Sequence, residues 1–173
     1  MQTVLKYGDT YCVDMGILIK LDFEFSKKRK AFKAIWDEIE LMVEQGEMFS
    51  CEFLDDEVNR YTGVHTFIQE WLKDRKDKFL ISNDLPILIA ASQVINENLN
   101  TGFLKKKNWE SGQNESDPYL IALGMVLGCK IITTESKDKS NKIPQVAKKY
   151  GVTSIDLYEF FDERGLKMMK SMS

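Results

Sequence analysis

At 173 residues, 43% of them apolar, the chain is long enough to bury a substantial core, and one domain spanning residues 1–173 is expected. With 24 basic and 27 acidic residues the net charge is -3, so composition does not announce a nucleic-acid binder and any such role must rest on local patches. No apolar run approaches the ~18 residues of a membrane helix, and "MQTVLKYGDT" lacks the basic start and apolar centre of a signal peptide. A soluble, cytoplasmic protein without membrane association is expected.

The first predicted element is a buried strand at Tyr11–Val13, ended by Asp14. From Lys28 to Gln45 apolar residues recur with helical spacing, which makes Ala31, Phe32, Ile35, Trp36, Ile39, Met42 and Val43 core candidates and Gly46 the stop. "EMFSCEFLDDEV" reads as a brief strand followed by a helix capped by Ser50, with Phe53, Leu54 and Val58 inward and Glu57 beside them. "VHTFIQEWLKDRK" is an amphipathic helix burying Phe67, Ile68, Trp71 and Leu72. Asn83 or Asp84 caps the next helix, with Pro86 in its first turn. The polar, glycine-containing stretch "NTGFLKKKNWESGQNES" is expected to be an exposed loop.

"SDPYLIALGMVLGCKIITTE" then holds a helix starting at Asp117-Pro118, its stop at Gly128 and a strand from Lys130 to Thr134 that leads into Glu135. A basic loop, "SKDKSNK", precedes the helix "IPQVAKKYG"; "VTSIDL" is a strand and "YEFFDERG" the last helix. Alternating short apolar strands and helices predict a three-layer α/β/α fold around a central, mostly parallel sheet of four or five strands. In such sheets reactive groups collect at the carboxyl ends of the strands. Asp14, Glu135 and Asp117 obey that rule. Cys12, Cys51 and Cys129 are odd in number and flanked by apolar residues, the pattern of reduced core thiols rather than of a disulfide framework or a zinc site.

Each acid has a plain structural use: Asp-Pro caps helices, and Glu57 and Glu135 lie in acid-rich, exposed-looking stretches. Asp14 is different, because a carboxylate at the end of an apolar strand is partly desolvated and must be compensated by a lysine, by N–H donors or by a metal. Several carboxylates at one sheet edge repel one another, and a hard divalent cation such as Mg²⁺ or Mn²⁺ neutralises them. A cation so held serves phosphodiester hydrolysis without a histidine or a nucleophilic serine. The single histidine, His65, lies in a predicted helix remote in sequence from the acids, which argues against triads and paired-histidine chemistry.

The segments "YCVDMGILIKL", "SCEFLDDEV", "SDPYLIALGMVLGCKIITTE" and "NKIPQVAKKYGVTSIDLYEFF" resemble, in order and spacing, the PIN-domain superfamily, most nearly a PIN-like family allied to VapC-type toxins. The resemblance covers nearly the whole chain. It implies metal-binding catalytic acids at Asp14, Glu57, Asp117 and Glu135, with Asp56 and Asp138 as substitutes if the register shifts. It also implies an Mg²⁺- or Mn²⁺-dependent endoribonuclease acting on RNA, often the toxin restrained by an antitoxin protein and often a homodimer. Basic stretches at Lys27–Lys33 and Lys137–Lys142 are candidates for steering the RNA backbone. The family usually carries Asp-Thr-Asn or Asp-Ser-Ser after the first strand, where this chain has Asp14-Met15-Gly16. That departure favours an alternative, a catalytically weakened PIN-like module binding RNA or protein. An aspartate-based phosphatase is opposed by Gly16, where a second acid would be needed.

Overall fold

The computed structural model describes residues 9–61 and 66–166, so His65 lies outside the described residues. Five strands form one parallel sheet: β1 (Tyr11–Val13), β2 (Met48–Cys51), β3 (Leu80–Ile81), β4 (Lys130–Ile132) and β5 (Ser154–Ile155), in the order β3-β2-β1-β4-β5. Helices cover both faces, giving the three-layer α/β/α arrangement anticipated from the alternation of elements. Tyr11 and Val13 enter one core and Cys12 the other, because successive side chains of a strand point to opposite faces. The first core receives α1 (Met15–Glu24), α2 (Lys33–Glu44), α3 (Phe53–Arg60), α4 (Thr66–Phe79) and α9 (Leu157–Glu163). The second receives α5 (Leu85–Asn98), α7 (Asp117–Leu127) and α8 (Ile143–Lys149).

The sequence reading differs from this arrangement at several points. Helix α1 follows Asp14 directly; its run "MGILIKLDFE" is too uniformly apolar to show a helical period, and it buries Ile17, Leu18 and Leu21. Helix α2 begins at Lys33 after a single 3₁₀ turn at Lys30–Phe32, which leaves Ala31 exposed and outside the core. Ser50 is not a cap but a buried residue of β2, its hydroxyl donating to the Val13 carbonyl at 2.7 Å. Strand β3 is two residues long and directly continues α4, so it carries no pattern of its own. Asp84 does cap α5, accepting from the Ile87 N–H at 3.2 Å with Pro86 in the first turn. No described helix is long and apolar enough to cross a membrane. All three cysteines are buried and free.

The strand order reverses direction between β1 and β4. From β1 the chain winds outward through β2 to β3, then returns past the starting strand to build β4 and β5 on the other side. Crossover helices diverge at that point, leaving a crevice at the carboxyl ends of β1 and β4, where open α/β sheets bind ligands.

Candidate active site

The crevice is a cleft of about 370 Å³. Asp14, Glu57, Asp117 and Glu135 all line it, although they are separated by up to 121 residues (135 minus 14) along the chain. Asp14 leaves the end of β1 and Glu135 follows β4 by three residues, so the two flank the reversal point. Glu57 is presented by α3, and Asp117 by the first turn of α7. Asp56 and Asp138 are exposed and are not among the residues lining the cleft; Asp56 borders a separate surface groove with Glu52 and Lys76.

Each acid is held differently. Asp14 is 9% exposed; its Oδ2 accepts from the Thr133 hydroxyl at 3.0 Å, while its backbone N–H donates to the Ile132 carbonyl at 3.1 Å. Burial pushes its carboxyl up to about 6, opposed by the Thr133 hydroxyl and reinforced by the charges of Glu135 and Glu57. Asp117 is pushed well above the usual carboxylate range by burial and then by Asp14, Glu135 and Glu57. It is not the cap of α7. Ser116 is the N-cap residue, without a side-chain capping bond, so the Asp117 carboxylate is not committed to capping, contrary to the Asp-Pro reading. Glu57 Oε1 accepts from the Ser116 N–H at 2.9 Å. Glu135 is engaged at both oxygens, by Lys142 Nζ at 3.0 Å and by the Ile143 N–H at 2.7 Å.

Sequence reasoning overlooked several participants. Thr133 is 2% exposed and fixes Asp14; strand alternation next to an acid was the available signal. The stretch expected to be a plain exposed loop includes α6 (Lys106–Glu110), buries Phe103, and walls the cleft with Lys105, Asn108, Gln113 and Glu115. In the sequence Lys142 stands out only as one member of a basic run. The cations lining the cleft are Arg60, Lys105 and Lys142, not Lys27 or Lys33, which form ion pairs with Glu40 and Asp37. Lys137 pairs with Glu159.

The Met15-Gly16 departure also has a local reason. A Cβ on Gly16 would stand 2.5 Å from Thr134 Oγ1 and 3.4 Å from Asp14 Oδ2. The missing side chain makes room for the Thr134 hydroxyl beyond β4, while Thr133 supplies Asp14 with a hydroxyl that the first loop itself does not carry.

The donor set is entirely oxygen, which suits Mg²⁺ or Mn²⁺ and not a soft metal. The buried Asp14 and half-buried Asp117 carboxyls, which repel their neighbours and, among the described residues, have no cation of their own, are what a site complementary to a cation presents, whereas Glu135 is already paired with Lys142. Among the described residues no three His, Cys, Asp or Glu side chains are gathered closely enough to form a ready coordination shell. The acids line a common cleft without converging on one point.

Residues 11–168 match the family described as Domain of unknown function (DUF4411). The chain belongs to that family. The match begins at β1 and includes every acid of the cleft. No curated protein matches the chain.

Proposed function

We propose that this member of the family is a PIN-like, metal-dependent endoribonuclease that hydrolyses RNA phosphodiester bonds and is the toxin of a toxin–antitoxin pair. The observation that carries the reading is the assembly of Asp14, Glu57, Asp117 and Glu135 in one cleft at the reversal point of a parallel sheet. Bound Mg²⁺ or Mn²⁺ would supply Lewis acidity toward the phosphate and a lowered pKa for the attacking water.

The protein's own contribution is positional and electrostatic. Asp14 and Asp117 would hold the cation, since theirs are the carboxylates whose charge is least compensated. Thr133 fixes the rotamer of Asp14, and the Ser116 N–H fixes Glu57, so the oxygens face the cleft without a large reorganisation cost. Arg60 and Lys105 bring positive charge to the cleft, where a polyanionic backbone requires it. No histidine is needed in this scheme.

Purified protein is expected to cleave RNA on addition of Mn²⁺ or Mg²⁺, and Asp14→Asn or Asp117→Asn should lower the rate by about 100-fold or more. Undiminished cleavage in both variants would remove these residues from the site. Expression in cells should arrest growth for the wild type and not for Asp14→Asn, with relief by an antitoxin. A second reading, a catalytically weakened module that binds RNA or protein, is favoured by the acids' lack of convergence. RNA retention without cleavage at saturating Mn²⁺ would select it.

A further inference from the structure

Lys142 is the N-cap residue of α8, and its backbone is extended there, with φ -116° and ψ 157°. Its ammonium lies 3.0 Å from Glu135 Oε1, and the next residue's N–H takes Glu135 Oε2. The segment "KIP" therefore clamps both oxygens of one cleft acid. The same ammonium is held protonated by Glu135 first and, more weakly, by Asp117 and Asp14. Lys142 thus faces Glu135, Asp117 and Asp14 together, and among the described residues no other cation is in an ion pair with any of the four acids.

A monovalent cation in this position does two things to an incoming divalent ion. It repels the ion directly, and it occupies oxygens that would otherwise coordinate it. In a partly desolvated cleft both effects are larger than on an open surface. We propose that Lys142 is a positioning residue that reserves Glu135, so that a divalent cation is taken up at Asp14 and Asp117 with Glu135 outside its coordination shell, and metal loading is weaker than the four acids alone would give. This rests on the carboxylate–metal reading of the cleft. The role belongs to this chain's own loop between β4 and α8, and it makes occupancy responsive to the free metal concentration.

The test is calorimetric titration of the metal-free full chain with Mn²⁺, comparing wild type, Lys142→Met, Lys142→Arg and the double variant Lys142→Met with Glu135→Gln. Lys142→Met should bind Mn²⁺ about tenfold or more tightly than wild type, while Lys142→Arg, which keeps the charge, stays within about threefold. Adding Glu135→Gln should abolish the gain, because the released carboxylate is then no longer a strong ligand. Melting curves of the metal-free proteins check that each variant is folded, and Lys142→Gln replaces Lys142→Met if the latter is not. Unchanged or weaker Mn²⁺ binding in the lysine variant, or a gain that survives Glu135→Gln, overturns the proposal. RNA cleavage measured on the same samples separates the two ideas. Absent cleavage with the expected Mn²⁺ pattern defeats the ribonuclease reading alone, and metal-dependent cleavage with an unchanged Mn²⁺ isotherm defeats the role of Lys142 alone.

Discussion

Asp14 is a destabilising charge that the fold tolerates. Its carboxyl moves from an ordinary 3.8 to about 6 on folding, which corresponds to roughly 3 kcal/mol. The folded carboxyl keeps its proton to higher pH than the unfolded one. Its contribution is therefore most favourable below pH ~4 and is lost as pH rises through about 6. Asp14→Asn should accordingly stabilise the metal-free protein above pH 7 by about 2 kcal/mol while matching wild type below pH 4. Thermal melts in a chelator across that range measure the difference, and equal curves at all pH values would show that Asp14 is not strained. The stabilised variant should also be the inactive one, as expected where a site concentrates like charges for function. At this scale the sequence was most informative about the acids and least about their partners: Asp14 announced itself at the end of an apolar strand, whereas Thr133 is one polar residue among several until strand pairing sets it against Asp14.

At the scale of elements, α7 has to lie close to the chain entering β5. Gly124 provides the approach: a Cβ there would meet Val152 Cγ1 at 2.3 Å and its Cβ at 3.3 Å. A β-branched neighbour that is itself 7% exposed has little room to turn away. Gly124→Ala should cost about 2 kcal/mol in spite of the better helix propensity of alanine, and Val152→Ala should recover most of that in the double variant. Denaturant unfolding of the four proteins measures the coupling; additive effects would mean that the two residues do not touch. Elements with strong punctuation were legible beforehand. Asp84 with Pro86 starts α5, and Gly128 in a left-handed conformation ends α7. Elements without it were not: α1 has no period to read, β3 is two residues, and the 100–116 stretch hides a buried Phe103 in polar company.

For the whole molecule, the proposed uptake of a divalent cation by the cleft would link stability to metal. At a free Mn²⁺ concentration about 100 times Kd, binding to the folded state alone should add about 2.7 kcal/mol, a rise of roughly 5–10 °C in Tm for a chain of this size. Chelator should reverse it, and Asp14→Asn or Asp117→Asn should abolish it. A wild-type Tm that ignores Mn²⁺ at every concentration would argue for the binding-module reading.

The sequence by itself determined the layered α/β class, because short apolar strands bounded by capped helices admit few other arrangements, and it singled out four of the five acids that line the cleft, Glu115 being the fifth. Only the tertiary structure decided how those acids are held. Which strands lie side by side, that Thr133 bonds to Asp14, that Thr134 stands where Gly16 leaves space, and that Glu57 takes the Ser116 N–H are all consequences of contacts between residues far apart in the chain. Local propensity carries no record of such contacts; burial and strand register create them.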